Sequence, residues 1–92
     1  MYPPRPVEWD EAALTELERI AAHEPRAAAR ALVAAERMGA SGYDEGRPTV
    51  EPGIRYRPPF RRGERLGLYY AVTPTALRVV WVVDARTLRE LP

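Results

Sequence analysis

The sequence lacks cysteine and lysine, and its only histidine is His23. Without thiolates or an imidazole cluster there is neither a disulfide framework nor a typical metal-ligand set, so we expect no metal and no cofactor. The lack of lysine excludes lysine-based covalent chemistry. Every permanently positive side chain is therefore arginine, whose planar guanidinium binds phosphate or carboxylate groups through two hydrogen bonds.

Long apolar segments are also missing. No apolar run approaches the roughly 18 residues that a membrane span needs, and the opening Met1-Tyr-Pro-Pro-Arg-Pro is unlike the apolar core of a signal peptide. We therefore expect a cytoplasmic protein with no membrane partner. The 92 residues, 46% hydrophobic and 29% charged, are typical of one globular domain spanning residues 1–92.

Charge is distributed unequally along the chain. Residues 53–92 carry eight arginines against three acidic residues, whereas residues 1–52 carry six against ten, which gives +5 and −4 for the two parts. The basic part also has the alternating pattern of β-strands. This combination indicates a sheet that presents a positive face to a polyanion.

The first half predicts a short strand and two helices. Val7-Glu8-Trp9 alternates as a strand does, and Asp10 is a suitable N-cap for a helix over 10–23. Glu24-Pro25 ends that helix and begins a second over about 25–39, since proline is tolerated in a first turn. Gly39 and Gly42 are both candidates for its end. The predicted buried faces are Leu14, Leu17, Ile20 and Ala21 in the first helix, and Ala28, Ala31, Leu32 and Ala35 in the second.

The second half predicts a loop and three strands. Glycine, proline and acidic residues fill 43–53, as is typical of a loop. Strands are predicted at 54–57, 66–72 and 77–83, and the apolar run Val79–Val83 favours a central position for the last. Trp9 and Trp81 are predicted core residues. The predicted fold is α+β, with the order β-α-α-β-β-β and a two-helix hairpin packed on a small antiparallel β-sheet.

Two segments resemble the RelE/ParE toxin superfamily. Val7-Glu8-Trp9-Asp10-Glu11-x-Ala-Leu14-x-x-Leu17 is similar to the opening strand and helix of that family. Ile54-Arg55-Tyr56-Arg57, Gly63-x-Arg65-Leu66-x-Leu68-Tyr69-Tyr70-Ala71-Val72 and Val79–Val83 resemble its basic strand, hairpin strand and valine-rich strand. The resemblance covers about residues 5–89. It implies the toxin of a type II toxin-antitoxin system, with an antitoxin protein as partner.

The resemblance also implies a site. Ribosome-dependent members of the family cut messenger RNA in the ribosomal A site, with basic residues around the scissile phosphate. The matching catalytic positions are Arg55, Arg57, Arg65 and Arg86; the match of Arg65 requires a shifted register, because a gap-free alignment places Gly67 there. Four arginines could stabilise the extra charge of the pentacoordinate transition state. An antitoxin would be expected to cover Arg55 and Arg57.

The arginine pair of the turn has two interpretations. Arg61 and Arg62 are predicted RNA-binding residues, with a solvated basic turn as the alternative. RNA cleavage also needs a general acid and a general base. The tail Thr87–Pro92 lacks the tyrosine or histidine that active relatives often have there, and Tyr56, Tyr69, Tyr70, Glu64 and Asp84 are the remaining candidates.

Three functional classes follow from these observations. The first is a ribosome-dependent endoribonuclease of the RelE kind, whose partners are the ribosome and messenger RNA. The second is a non-enzymatic inhibitor of DNA gyrase of the ParE kind, which the missing tail residue favours. The third is a non-toxic binding module with the same fold. Enzymatic activity is open at this point, because no general acid or base can be assigned.

Overall fold

The structure is a computed structural model that describes residues 3–85. It begins with the strand β1 (Val7–Trp9), the helix α1 (Glu11–His23) and the helix α2 (Pro25–Ser41). The predicted break at Glu24-Pro25 is confirmed, with Pro25 in the first turn of α2. Asp10 is the N-cap residue of α1, but its carboxylate forms an ion pair with Arg78 and makes no capping hydrogen bond.

The end of α2 shows why Gly39 does not stop the helix. Gly42 takes the left-handed conformation (φ 70°) and its N–H donates to the Met38 carbonyl, which is a common helix end. Gly39 lies inside the helix, where a Cβ atom would be only 2.6 Å from the Arg5 carbonyl oxygen. Gly39 therefore allows the segment before β1 to approach α2, and the helix runs on to Ser41.

Within residues 3–85, five strands form one mixed sheet in the order β1-β5-β4-β3-β2. The remaining strands are β2 (Arg47–Pro48), β3 (Arg55–Arg57), β4 (Leu66–Val72) and β5 (Leu77–Asp84). The α+β class, with two helices on a sheet, is confirmed, but two details differ from the prediction. β1 pairs in parallel with β5, so the sheet is not wholly antiparallel, and β2 lies in the predicted 43–53 loop.

The strand β5 is an interior strand, although β4 is the middle one. Val82 is fully buried and Val80 is half-buried, as the apolar run predicts. The pairing of β5 with β4 skips Val80: Tyr70 faces Val79, and Tyr69 faces Trp81. At this bulge β5 has one residue more than β4, so the core-facing side chains of β5 stay opposite those of β4 on both sides of it.

The core fills the space between the helices and one face of the sheet. Its members are Ala13, Leu17 and Ile20 from α1, six residues from α2, and Leu66, Leu68, Tyr70, Leu77, Val79 and Val82 from the sheet. Leu14 is 43% exposed and Leu32 is also exposed, so their predicted burial is wrong. Alanines supply most of the buried positions of α2, and the two leucines fall outside the buried faces of their helices.

The two tryptophans have different environments. Trp9 is half-buried and packs against the core, in agreement with the prediction. Trp81 is 41% exposed, so its predicted core position is wrong. The reason is its register, since Trp81 lies opposite Tyr69 on the face of the sheet away from the core, whereas Val82 lies opposite the buried Leu68.

Candidate functional site

Among the predicted site residues that the structure describes, Arg57 is the most buried, with 1% of its surface exposed. It lies on β3, and its guanidinium binds two carboxylates: Nε donates to Glu45 Oε1 at 2.7 Å, and both terminal nitrogens donate to Glu64 at 3.1 Å. The Phe60 ring lies 4.4 Å from the guanidinium carbon. Each of the three guanidinium nitrogens therefore donates to a carboxylate within the protein.

The two carboxylates around Arg57 are held in the charged state. Burial of Glu64 acts to raise its pKa, but hydrogen bonds from Arg57 and from the backbone amides of Arg61 and Phe60 outweigh burial and hold the pKa below its ordinary value. Burial of Glu45 is likewise outweighed by Arg57 and Arg37, so its pKa is lowered. Carboxylates with lowered pKa values are poor proton donors or acceptors near neutral pH. The charged state of Glu64 and its hydrogen bonds to Arg57 do not favour the acid-base role considered from the sequence.

Arg37 and Arg61 extend the set of ion pairs around Arg57 to the protein surface. Arg37 of α2 lies 3.3 Å from Glu45 and 3.8 Å from Glu64, and Arg61 lies 3.2 Å from Glu45. We call these five residues, Arg37, Glu45, Arg57, Arg61 and Glu64, the buried ion cluster. It joins α2, the segment before β2, β3 and the turn before β4. Its net charge is +1, so most of the positive charge predicted there is neutralised inside the molecule.

Arg55 has a separate environment at the other end of β3. It forms an ion pair with Asp44 and donates a hydrogen bond to the Gly46 carbonyl at 2.9 Å. Asp44 also accepts hydrogen bonds from the Tyr70 hydroxyl and the Gly46 amide. A Cβ on Gly46 would be 2.1 Å from the Tyr70 hydroxyl oxygen, so glycine is required for this close approach. Arg55 therefore anchors the 44–46 segment against the sheet.

The other predicted site residues are dispersed. Arg65 forms an ion pair with Glu24, at the junction of the two helices, at 2.7 Å. Arg62 is exposed and forms no ion pair within residues 3–85. Arg86 lies outside the described residues. Arg55, Arg57 and Arg65 thus each bind a different carboxylate partner, and the buried Arg57 side chain leaves almost no surface for an antitoxin to contact.

Two tyrosines occupy the face of the sheet opposite to Arg57. The Tyr56 and Tyr69 rings are 4.7 Å apart, and burial, followed by the neighbouring Tyr69, raises the pKa of Tyr56. Gly67 permits this arrangement, since a Cβ there would be 2.2 Å from the Tyr56 hydroxyl oxygen. Tyr56 therefore faces away from Arg57, as the period of two predicts. Tyr70 is buried on the helix side.

The sequence reasoning missed the basic residues of α2. Arg26, Arg30, Val33 and Arg37 follow one another at spacings of four, three and four, which places them on one face of a helix. That spacing was readable from the sequence. What it could not show is that this face lies beside the turn carrying Arg61 and Arg62.

No metal site and no membrane span are found in the part of the chain that the structure describes. Within residues 3–85, no three histidine, cysteine or acidic side chains are grouped so that they could hold a metal ion. None of the described helices has the length and apolar character that crossing a membrane requires.

Comparison with known proteins identifies the fold. No family model matches the sequence, and no curated protein is similar to it. A chain of the solved structure described as the chromosomal ParDE TA system from P. aeruginosa aligns with a TM-score of 0.63 and 14% identity. The alignment covers 87% of this chain and 95% of that chain. The protein therefore has a ParE-like fold, as the resemblance of the sequence implied.

Proposed function

We propose that the protein is the toxin of a toxin-antitoxin pair and acts by binding a protein target, as ParE-kind inhibitors of DNA gyrase do, and not as a nuclease. The fold shared with a chain of a ParDE system supports the first part. The observation that carries the second part is the buried ion cluster. Arg57, a predicted phosphate ligand, is enclosed and neutralised by Glu45 and Glu64.

The cost of freeing Arg57 supports this choice. To reach a phosphate, its side chain would have to leave two buried carboxylates without their partner, and an uncompensated buried charge costs about 3–5 kcal/mol. A nuclease site gains from groups that are preorganised toward the transition state, not from groups bound elsewhere. Arg55 and Arg65 are likewise bound to Asp44 and Glu24.

The RelE-kind nuclease remains the second candidate. It is favoured by Arg61 and Arg62, which keep exposed positive charge in one turn. In that case messenger RNA on the ribosome would be the substrate, and Arg55, Arg65 and Arg86 would have to supply the phosphate contacts. No residue among 3–85 is assigned as the general acid or the general base of such a nuclease.

A pair of assays separates the candidates. The gene is induced alone in a bacterial host, and the purified protein is tested in a gyrase supercoiling assay and in a ribosome assay with programmed messenger RNA. We expect growth arrest and inhibition of supercoiling, with the messenger RNA intact. Gyrase inhibition, and not growth arrest alone, is the diagnostic result.

Matched variants are used to interpret the opposite result, which is cleavage of the messenger RNA. Cleavage of messenger RNA that is lost in Arg55→Gln and retained in Arg47→Gln would assign the nuclease function and contradict the proposal. Arg47 is an exposed arginine of β2 with no ion pair among residues 3–85, so it controls for the loss of one positive charge. Normal growth with no effect in either assay would leave only the non-toxic binding module.

A further inference from the structure

A basic groove runs between α2 and the turn before β4. One depression of about 520 Å³ is lined by Ala29, Arg30, Val33, Arg37, Arg61, Arg62 and Glu64. A second, of about 510 Å³, shares Arg30 and continues along Arg26, Gly63 and Arg65 toward Glu24 and Pro25. We call the two together the α2 groove. It shares Arg61, Arg62 and Arg65 with the site predicted from the sequence, but neither Arg55 nor Arg57 lines it.

The α2 groove carries charge that the protein does not neutralise. Six arginines line it against two glutamates, and both glutamates are already bound, Glu64 by Arg57 and Glu24 by Arg65. Within the described residues, Arg26, Arg30 and Arg62 form no ion pair. The groove therefore offers several guanidinium groups to an anionic partner.

Arg30 is held in position by the turn. Its terminal nitrogen donates to the Arg62 carbonyl at 3.4 Å, and its guanidinium lies directly over Gly63, where a Cβ would be 2.7 Å from the Arg30 Cζ atom. Gly63 has φ 85°, a conformation that glycine adopts without strain. A guanidinium fixed in this way loses less freedom when it binds a carboxylate, which favours affinity.

Apolar surface separates the arginines along the groove. Val33 is 60% exposed and lies between Arg30 and Arg37 on the same face of α2, and Ala29 lines the groove next to it. An exposed aliphatic side chain between cations matches a partner that has carboxylates on either side of an aliphatic residue. A phosphate backbone offers no such apolar group.

Single-stranded RNA fits this surface less well. Proteins that bind single strands stack the bases on free aromatic rings. In the described part of the chain, neither depression is lined by an aromatic residue. Phe60, which precedes Arg61 in sequence, is 55% exposed, but the guanidinium carbons of Arg57 and Arg61 lie 4.4 and 5.6 Å from its ring centroid. Phe60 already contacts these two cations, so its ring is less available to stack a base than an unengaged ring would be.

We propose that the α2 groove binds an acidic segment of a protein partner, with Asp or Glu side chains on Arg26, Arg30 and Arg62 and an aliphatic side chain on Val33. The identification of that partner as the antitoxin rests on the proposed function; the chemistry of the groove does not. The antitoxin would then be recognised on α2 and the neighbouring turn, and not over Arg55 and Arg57.

The test uses a defined peptide and fluorescence anisotropy. The probe is a labelled helical peptide with Glu at successive turns and Leu between them, and its control has Gln in place of every Glu. We expect saturable binding of the Glu peptide that weakens with salt, and little binding of the Gln peptide. Arg30→Gln and Arg62→Gln should each weaken binding about three- to tenfold, the loss expected for one charge-assisted contact.

Arg47→Gln is the matched control, because it removes the same charge from an exposed residue outside the α2 groove. Circular dichroism of each variant verifies the fold. No binding of the Glu peptide, or an equal loss in Arg47→Gln, would overturn the inference. The inference would also be overturned if a single-stranded RNA oligomer displaced the peptide and the binding of that RNA depended on Arg30.

Val33→Ser should weaken binding of the Glu peptide without changing the salt dependence of that binding. No effect of Val33→Ser on the affinity would refute the apolar contact.

The result is independent of the function assays. If the protein inhibits gyrase but the α2 groove binds no acidic peptide, the inference fails and the proposed function stands. If the groove binds the peptide through Arg30 but neither growth nor gyrase is affected, the groove stands and the proposed function fails.

Discussion

Replacing Arg57 by alanine tests whether the buried ion cluster is structural. The substitution leaves the carboxylates of Glu45 and Glu64 in a buried position without the guanidinium that binds both of them at 2.7–3.1 Å. Breaking a buried pair in this way costs about 3–5 kcal/mol. Because a domain of this size has a total stability of about 5–15 kcal/mol, a large part of the folding free energy would be lost.

The measurement is equilibrium unfolding in urea at pH 7, followed by circular dichroism, with a thermal scan beside it. Each kcal/mol lowers the midpoint of a domain this size by about 4–8 °C, so Arg57→Ala should lower Tm by at least about 12 °C. Arg47→Ala is the control, and as an exposed arginine it should stay within about 0.5 kcal/mol of the parent protein.

A second variant checks the cause of the loss. Arg57→Met combined with Glu45→Gln and Glu64→Gln removes all three buried charges together, so that no uncompensated charge is left among them. The triple variant should therefore be more stable than Arg57→Ala. If Arg57→Ala unfolds within about 1 kcal/mol of the parent, the cluster is not structural, and the argument against a nuclease role for Arg57 fails with it.

Three further predictions concern pH, the core and the turn. The lowered folded-state pKa of Glu64 contributes stability that is present above the ordinary pKa of 4.5 and is lost as the pH falls through the folded-state pKa. In urea titrations from pH 6 to pH 2, the free energy of unfolding should therefore fall less steeply for Glu64→Gln than for the parent protein. An unchanged slope would contradict this. Leu17→Ala should cost about 2–5 kcal/mol and the exposed Leu14→Ala well under 1, measured by urea unfolding, and equal losses would refute the assigned face of α1. Gly63→Ala should cost about 1 kcal/mol because of its positive φ and should also weaken peptide binding in the α2 groove, since the new Cβ displaces Arg30; unchanged affinity would show that Arg30 is not positioned by the turn.

The elements were predictable where the chain has local signals. Pro25 marks the start of α2, and the valine run marks β5, because both depend on backbone sterics and propensity. The parallel pairing of β1 with β5 depends on residues about 70 apart in sequence and carries no local signal. The exposure of Leu14 likewise has no local signal. Apolar residues lie on more than one face of α1, and only packing against the rest of the protein selects the face that is buried.

The candidate site was less predictable than the fold. The alternation of β3 predicts that Arg55 and Arg57 lie on the face opposite to Tyr56, and the structure agrees. It does not predict which side of the sheet the helices cover. That choice decides whether Arg57 is a ligand for phosphate or the centre of an ion cluster. Glu45 and Glu64 are 12 and 7 residues from Arg57 in sequence, so their meeting is a property of the tertiary structure.

The parallel pairing of the first and last strands also has a consequence for synthesis of the chain. Proteins emerge from the ribosome N-terminus first, and a strand cannot pair until its partner has been made. The helix hairpin and the β3–β4 pair can form early from near neighbours, whereas β1 waits for Leu77–Val79. The sheet is therefore completed only when nearly the whole described chain has been translated, so incomplete chains lack the finished surface of this fold.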